Sequence, residues 1–101
     1  MLSACAQLGI GQADTFAKKQ LGAYTTVKTI AQSTLALEKS GVLSKDEAAN
    51  IKNQNRAALT AIDMAGQIAE TNIKDANTRL TSAITILTAL QAFLATKGAP
   101  Q

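Results

Sequence analysis

The stretch LTSAITILTALQAFLAT, Leu80 to Thr96, decides the fold, because no charged residue falls between Arg79 and Lys97. It is the most hydrophobic part of the chain. Ala76, Leu80, Ala83, Leu87, Leu90 and Leu94 recur at alternating steps of four and three, the spacing that lines one stripe of an α-helix. Ile84, Ile86 and Phe93 widen that stripe, so the helix is expected to bury more than one face beneath neighbouring helices. A membrane span competes with this reading. The run is short against the ~20 residues a bilayer core needs, and it carries Thr81, Ser82, Thr85, Thr88, Gln91 and Thr96. A buried core helix is the preferred expectation.

Working outward, the 101 residues fit one domain that can bury a core without a metal or disulfide staple. One proline and six glycines leave few of the turn residues that a multi-strand fold needs, which points to an all-α protein. Aromatics are 3% of the chain, so the core must come from Ala, Leu, Ile and Val packed in close, nearly parallel helices. The net charge is +3, and its basic residues are scattered, with Lys18 and Lys19 the one adjacent pair. A nucleic-acid reader would gather them on one face, so no nucleic-acid partner is expected.

A first helix is predicted from Gln12 to Lys39, with Phe16, Gln20, Ala23, Val27, Ile30, Thr34 and Leu37 on its inward stripe. Gly41 then suits the left-handed closure of a helix, and Ser44 with Glu47 three residues later forms a capping box. A second helix follows from Lys45 to about Glu70, with Ala48, Ile51, Asn55, Ala58, Ile62, Ala65 and Ala69 inward. Asn72, with Asp75 three residues on, caps a third helix that runs to about Lys97 and stops at Gly98, Ala99 and Pro100. Short links between matched helices favour antiparallel neighbours, hence an up-down-up three-helix bundle over residues 12–101. A long helical hairpin is the alternative if the break at Asn72 is only a kink.

Chemistry is sparse. The chain has no histidine, which removes the commonest general base and a frequent metal ligand. No catalytic residue, metal or cofactor is therefore expected. Asp63 and Glu70 share a face without the Glu-x-x-His partner of a di-metal bundle site. Gly9 and Gly11 lack the strand and further glycine of a phosphate loop. Asn50, Asn53, Gln54 and Asn55 form an amide patch, read as solvent-facing except at Asn55. There a buried contact that sets helix register is an equal alternative. The numerous threonines are expected to pack as small residues between helices.

The N-terminal segment, residues 1–11, reads as a leader and flexible tether. Within it, Leu2-Ser3-Ala4-Cys5 resembles the lipobox of bacterial lipoproteins, in which signal peptidase II cuts before a cysteine that receives a diacylglycerol. The resemblance makes Cys5 the lipidation site and Leu2, Ser3 and Ala4 its recognition residues. Ala6, rather than Asp, after the cysteine implies passage to the outer membrane, on its periplasmic face. The basic and apolar regions of a signal peptide would lie upstream of Met1. Two or more acyl chains, at ~0.8 kcal/mol per buried CH₂, would anchor the domain stably.

The remainder, from QLGAYTTVKTIAQSTLALEKSGVLSKDEAANI through AGQIAETNIKDANTRLTSAITILTALQAFLA, resembles small helical lipoproteins of tailed phages and prophages. That resemblance implies a role at the host envelope, such as superinfection exclusion or assistance in lysis. It is unlike the proline-rich outer-membrane spanin subunit. The first expectation is thus a non-enzymatic, lipid-anchored bundle acting on a protein partner, with homo-oligomers possible in principle. The second is an unlipidated structural or ejection component of a phage virion, and a contiguous exposed apolar patch would favour it. A nucleic-acid module, suggested by the pI of 9.3, stands third.

Overall fold

A computed structural model describes residues 10–98, which form three helices: α1 (Ile10–Lys39), α2 (Lys45–Ile68) and α3 (Ile73–Thr96). The links at 40–44 and 69–72 are short, as matched antiparallel neighbours require. All three helix pairs are in contact, α2 with α3 most extensively. The fold is an all-α three-helix bundle measuring 52 × 27 × 15 Å. Direction follows from the cross-contacts. Gln20 meets Ile62, Val27 meets Asn55 and Glu38 meets Lys52, so α1 and α2 run antiparallel. Lys97 at the end of α3 meets Glu47 at the start of α2, so α2 and α3 run antiparallel and α1 and α3 run parallel.

The ends of the helices are set by local chemistry. At the end of α1, Gly41 takes φ +81°, a conformation that costs other residues their Cβ clearance. Its N–H donates to the Glu38 carbonyl at 3.1 Å, and the Val42 N–H donates to the Leu37 carbonyl at 2.9 Å. Those two bonds are the Schellman closure. Leu43 then turns inward and is buried, a core residue that lies in a link and so escapes any helical periodicity. At the start of α2 the capping box is complete: Ser44 Oγ accepts from the Glu47 N–H, and Glu47 Oε1 accepts from the Ser44 N–H, each at 3.0 Å. Asn72 makes half of such a box, accepting from the Asp75 N–H at 3.0 Å. The Asp75 carboxylate pairs instead with Arg79.

The core is where the spacing put it. Ala76, Leu80, Ala83, Leu87, Leu90 and Leu94 of α3 are all buried, as are Ala48, Ile51, Asn55, Ala58, Ile62 and Ala65 of α2. On α1, Phe16, Ala23, Ile30 and Thr34 are buried while Gln20, Val27 and Leu37 are half-buried. Three boundaries shift by one or two residues. α1 begins at Ile10 rather than Gln12, α2 ends at Ile68 rather than Glu70, and α3 ends at Thr96 rather than Lys97. Gly11, expected in the tether, therefore belongs to α1; residues 1–9 lie outside the described residues.

One expectation is overturned. α3 buries a single face, and Ile86 and Phe93 remain 38% and 37% exposed. The reason is geometric: in a bundle of three, each helix meets its two neighbours along one sector and turns the rest of its circumference to solvent. α3 has the length and hydropathy of a membrane span, yet its leucine stripe is the shared core of the bundle.

Two outcomes follow from this packing. Leu87→Asp places an unpaired charge at a position 1% exposed, which should remove most of the ~5–15 kcal/mol of a small domain and abolish the cooperative thermal transition seen by circular dichroism. At the α2 N-terminus, the Ser44 backbone hydrogen bond holds the Glu47 carboxyl below its ordinary value, and Lys97 acts in the same direction. A depressed carboxyl contributes stability above its unfolded value and loses it as the pH falls through the folded one. Melting temperature should therefore fall more steeply below about pH 4.3 in the native chain than in Glu47→Gln.

Candidate functional site

The sequence-predicted site residues Leu2, Ser3, Ala4 and Cys5 lie outside the described residues. The described part offers two surfaces, the α1–α2 seam and the outward side of α3. The seam is polar at intervals along an apolar contact. Asn55 is only 6% exposed, and its Nδ2 donates across the interface to the Val27 carbonyl at 3.0 Å. Of the two readings for this amide, the buried interhelical contact is the one the fold adopts. The bond to a carbonyl fixes which end of the amide faces α1, and Oδ1 is left buried without a hydrogen-bond partner. Asn50, Asn53 and Gln54 are exposed, as expected for a solvent-facing patch.

One turn-pair along, Gln20 Nε2 donates to the Ile62 carbonyl at 3.3 Å. Its amide lies where a side chain on Gly66 would stand, 2.5 Å from an added Cβ, so Gly66 is the gap that admits Gln20. Further out, the Tyr24 hydroxyl donates to Asp63 Oδ1. Neither residue belongs to an inward stripe, and the antiparallel alignment of α1 and α2 brings them together. Lys52 and Glu38 close the far end of the seam at 3.0 Å. Beside Asn55 the two helices leave a groove of about 400 Å³ walled by Val27, Ala31, Leu35 and Leu59 and rimmed by Lys52 and Arg56.

No group of three His, Cys, Asp or Glu side chains that could hold a metal occurs among the described residues. Asp63 is engaged with Tyr24, Asp75 with Arg79, and Glu47 with the Ser44 backbone and Lys97. The threonines also behave differently from expectation. Thr34 is buried and donates to the Ile30 carbonyl at 2.7 Å, but Thr25, Thr29, Thr60, Thr81, Thr85 and Thr88 face solvent. Several of the exposed hydroxyls bond the carbonyl four residues back, as Thr25 and Thr85 do at 3.1 and 3.0 Å. That bond satisfies the hydroxyl within its own helix.

The outward side of α3 is the more unusual surface. Thr81, Ser82, Thr85, Ile86, Ala89 and Phe93 are exposed on it, and no charged residue interrupts them. The solvent sides of α1 and α2 differ: they present Lys18, Lys19, Lys28, Lys45, Lys52 and Arg56. On the α1 flank of α3, Thr81, Ile84, Thr85, Thr88, Ala89 and Ala92 line an open groove of about 590 Å³ bordered by Lys19. On the α2 flank, Lys97 pairs with Glu47 at 3.4 Å and stands over the Phe93 ring at 5.4 Å. Groove and aromatic ridge thus lie on opposite shoulders of one neutral face. No family model, curated protein or solved structure matches the chain.

The hydrogen bond to Asp63, with some burial and the carboxylate's charge, raises the Tyr24 hydroxyl above its ordinary value of about 10. Tyr24 is the single tyrosine, so ultraviolet titration reads it alone. The native midpoint should lie above that value, and Asp63→Asn should bring it down. An unchanged midpoint would mean that the α1–α2 seam is aligned differently.

Proposed function

We propose that the chain is a non-enzymatic interaction protein, tethered to the bacterial envelope by a lipid on Cys5 and acting by binding another protein. The outward face of α3 carries this reading. A soluble domain ordinarily breaks up such a surface with charge, and an uncharged face that leaves Ile86 and Phe93 in solvent suits association with another protein. Absence of histidine and the engagement of Glu47, Asp63 and Asp75 in caps and cross-helix contacts support a binding role over a catalytic one. The tether supports placement at the periplasmic face of the outer membrane, through the Leu2-Ser3-Ala4-Cys5 motif. In that setting the resemblance to phage-encoded helical lipoproteins suggests superinfection exclusion or an accessory role in lysis.

The same exposed face favours a second reading, an unlipidated virion component packed against neighbouring subunits. Intact mass of the protein, expressed from its native gene with its own upstream sequence in a diderm host, separates the two. The first reading expects a chain beginning at Cys5 that carries a diacylglycerol and an acyl group. It also expects Cys5→Ser to move to the soluble fraction with unchanged helix content. An unmodified chain starting at Met1 would overturn lipid anchoring and leave the virion component in its place.

A further inference from the structure

We infer that two copies of this chain associate side by side through α3, parallel and about a two-fold axis, each seating Ile86 and Phe93 in the other's groove. The inference rests on the reading of α3 as a binding surface, and it names the partner. Shape is the first argument. A two-fold interface uses the same patch twice, so the patch must contain both the projecting and the receiving element. The neutral face of α3 does. Its groove, lined by Thr81, Ile84, Thr85, Thr88 and Ala92, is on the α1 side, and Phe93 projects on the α2 side under Lys97. Two parallel α3 helices related by a two-fold bring the α1 side of each against the α2 side of the other. An antiparallel pair would oppose groove to groove and ridge to ridge.

Charge is the second argument. Each copy carries +3, so association through most of the surface brings like charges together. The α3 face lowers that cost, although Lys19 of α1 borders its groove: the helix is uncharged between Arg79 and Lys97, and both of those cations are paired within their own copy. Arg79 lies 3.2 Å from Asp75 and Lys97 lies 3.4 Å from Glu47. Small side chains at Ala89 and Ala92 let two helix backbones approach closely. The parallel arrangement also sets the starts of both α1 helices at one pole, since α1 and α3 share a direction. Two tethers can then enter one membrane. Antiparallel copies would place them at opposite poles of a body 52 Å long. A face one helix wide lies at the small end of stable interfaces, ~1,200 Å² in total, so association should depend on protein concentration.

The test uses the full-length chain carrying Cys5→Ser, by sedimentation equilibrium and by cysteine cross-linking. Ser82, Ala89 and Thr96 are exposed and seven residues apart along the outward apex. In the parallel dimer Ser82→Cys, Ala89→Cys and Thr96→Cys, each made singly, should all form a disulfide with the same residue of the second copy. Phe93→Lys should weaken association at least tenfold while keeping the helical circular dichroism of the parent. A monomer up to millimolar concentration would overturn the inference. So would a cross-link confined to one position, the mark of an antiparallel pair, or a Phe93→Lys variant that associates as tightly as its parent. Failure here is distinguishable from failure of the anchoring proposal: a lipidated but monomeric protein sinks the dimer alone, and an unlipidated dimer sinks the anchor alone.

Discussion

The structure depends on how closely three helices can approach with almost no aromatic side chains to fill the space between them. Alanines answer that constraint. Ala58 and Ala65 of α2, and Ala76 and Ala83 of α3, are fully buried between leucine and isoleucine neighbours. A β-carbon at those positions lets the backbones draw together until Ile62, Leu80 and Leu87 interdigitate, which restores the contact density that larger side chains would otherwise supply. Phe16 is the one buried aromatic, and it caps the core at the α1 N-terminal end. A core of small parts has little slack, so the polar contacts that accompany it are few and specific.

Those contacts define alignment more than they add stability. Asn55 reaching the Val27 carbonyl, and Gln20 reaching the Ile62 carbonyl past Gly66, can form only when α1 and α2 are in one axial register. An apolar stripe alone would tolerate sliding by one helical repeat. The unpartnered Asn55 Oδ1 is the cost of fixing the seam with an amide, since a buried acceptor without a donor forfeits its hydration. Such a residue trades stability for uniqueness, as a single buried Asn does in coiled coils.

Much of this was legible in the sequence. The α3 stripe from Ala76 to Leu94, the α2 stripe through Asn55 and the Ser44–Glu47 box each follow from spacing, because local geometry alone determines them. Leu43 was not legible, since a link residue turns inward only through the Schellman bonds that precede it. Nor were Tyr24–Asp63 and Lys97–Glu47, which join residues far apart in the chain and require knowing which helices are neighbours. The extra hydrophobicity of α3 was visible but misplaced. Periodicity reports that Ile86 and Phe93 are apolar, while the number of neighbouring helices decides whether they are covered. The surface proposed for function is therefore the place where pattern and packing part company.

The parallel course of α1 and α3 has a consequence for reach. Both helices begin at one pole, and the link at 40–44 and the Lys97–Glu47 contact close the other. The far pole is braced by the Schellman bonds and the capping box, which tie backbone groups between Ser40 and Ala48. The braced tip therefore stands at the opposite end of a 52 Å body from the pole at which α1 and α3 begin.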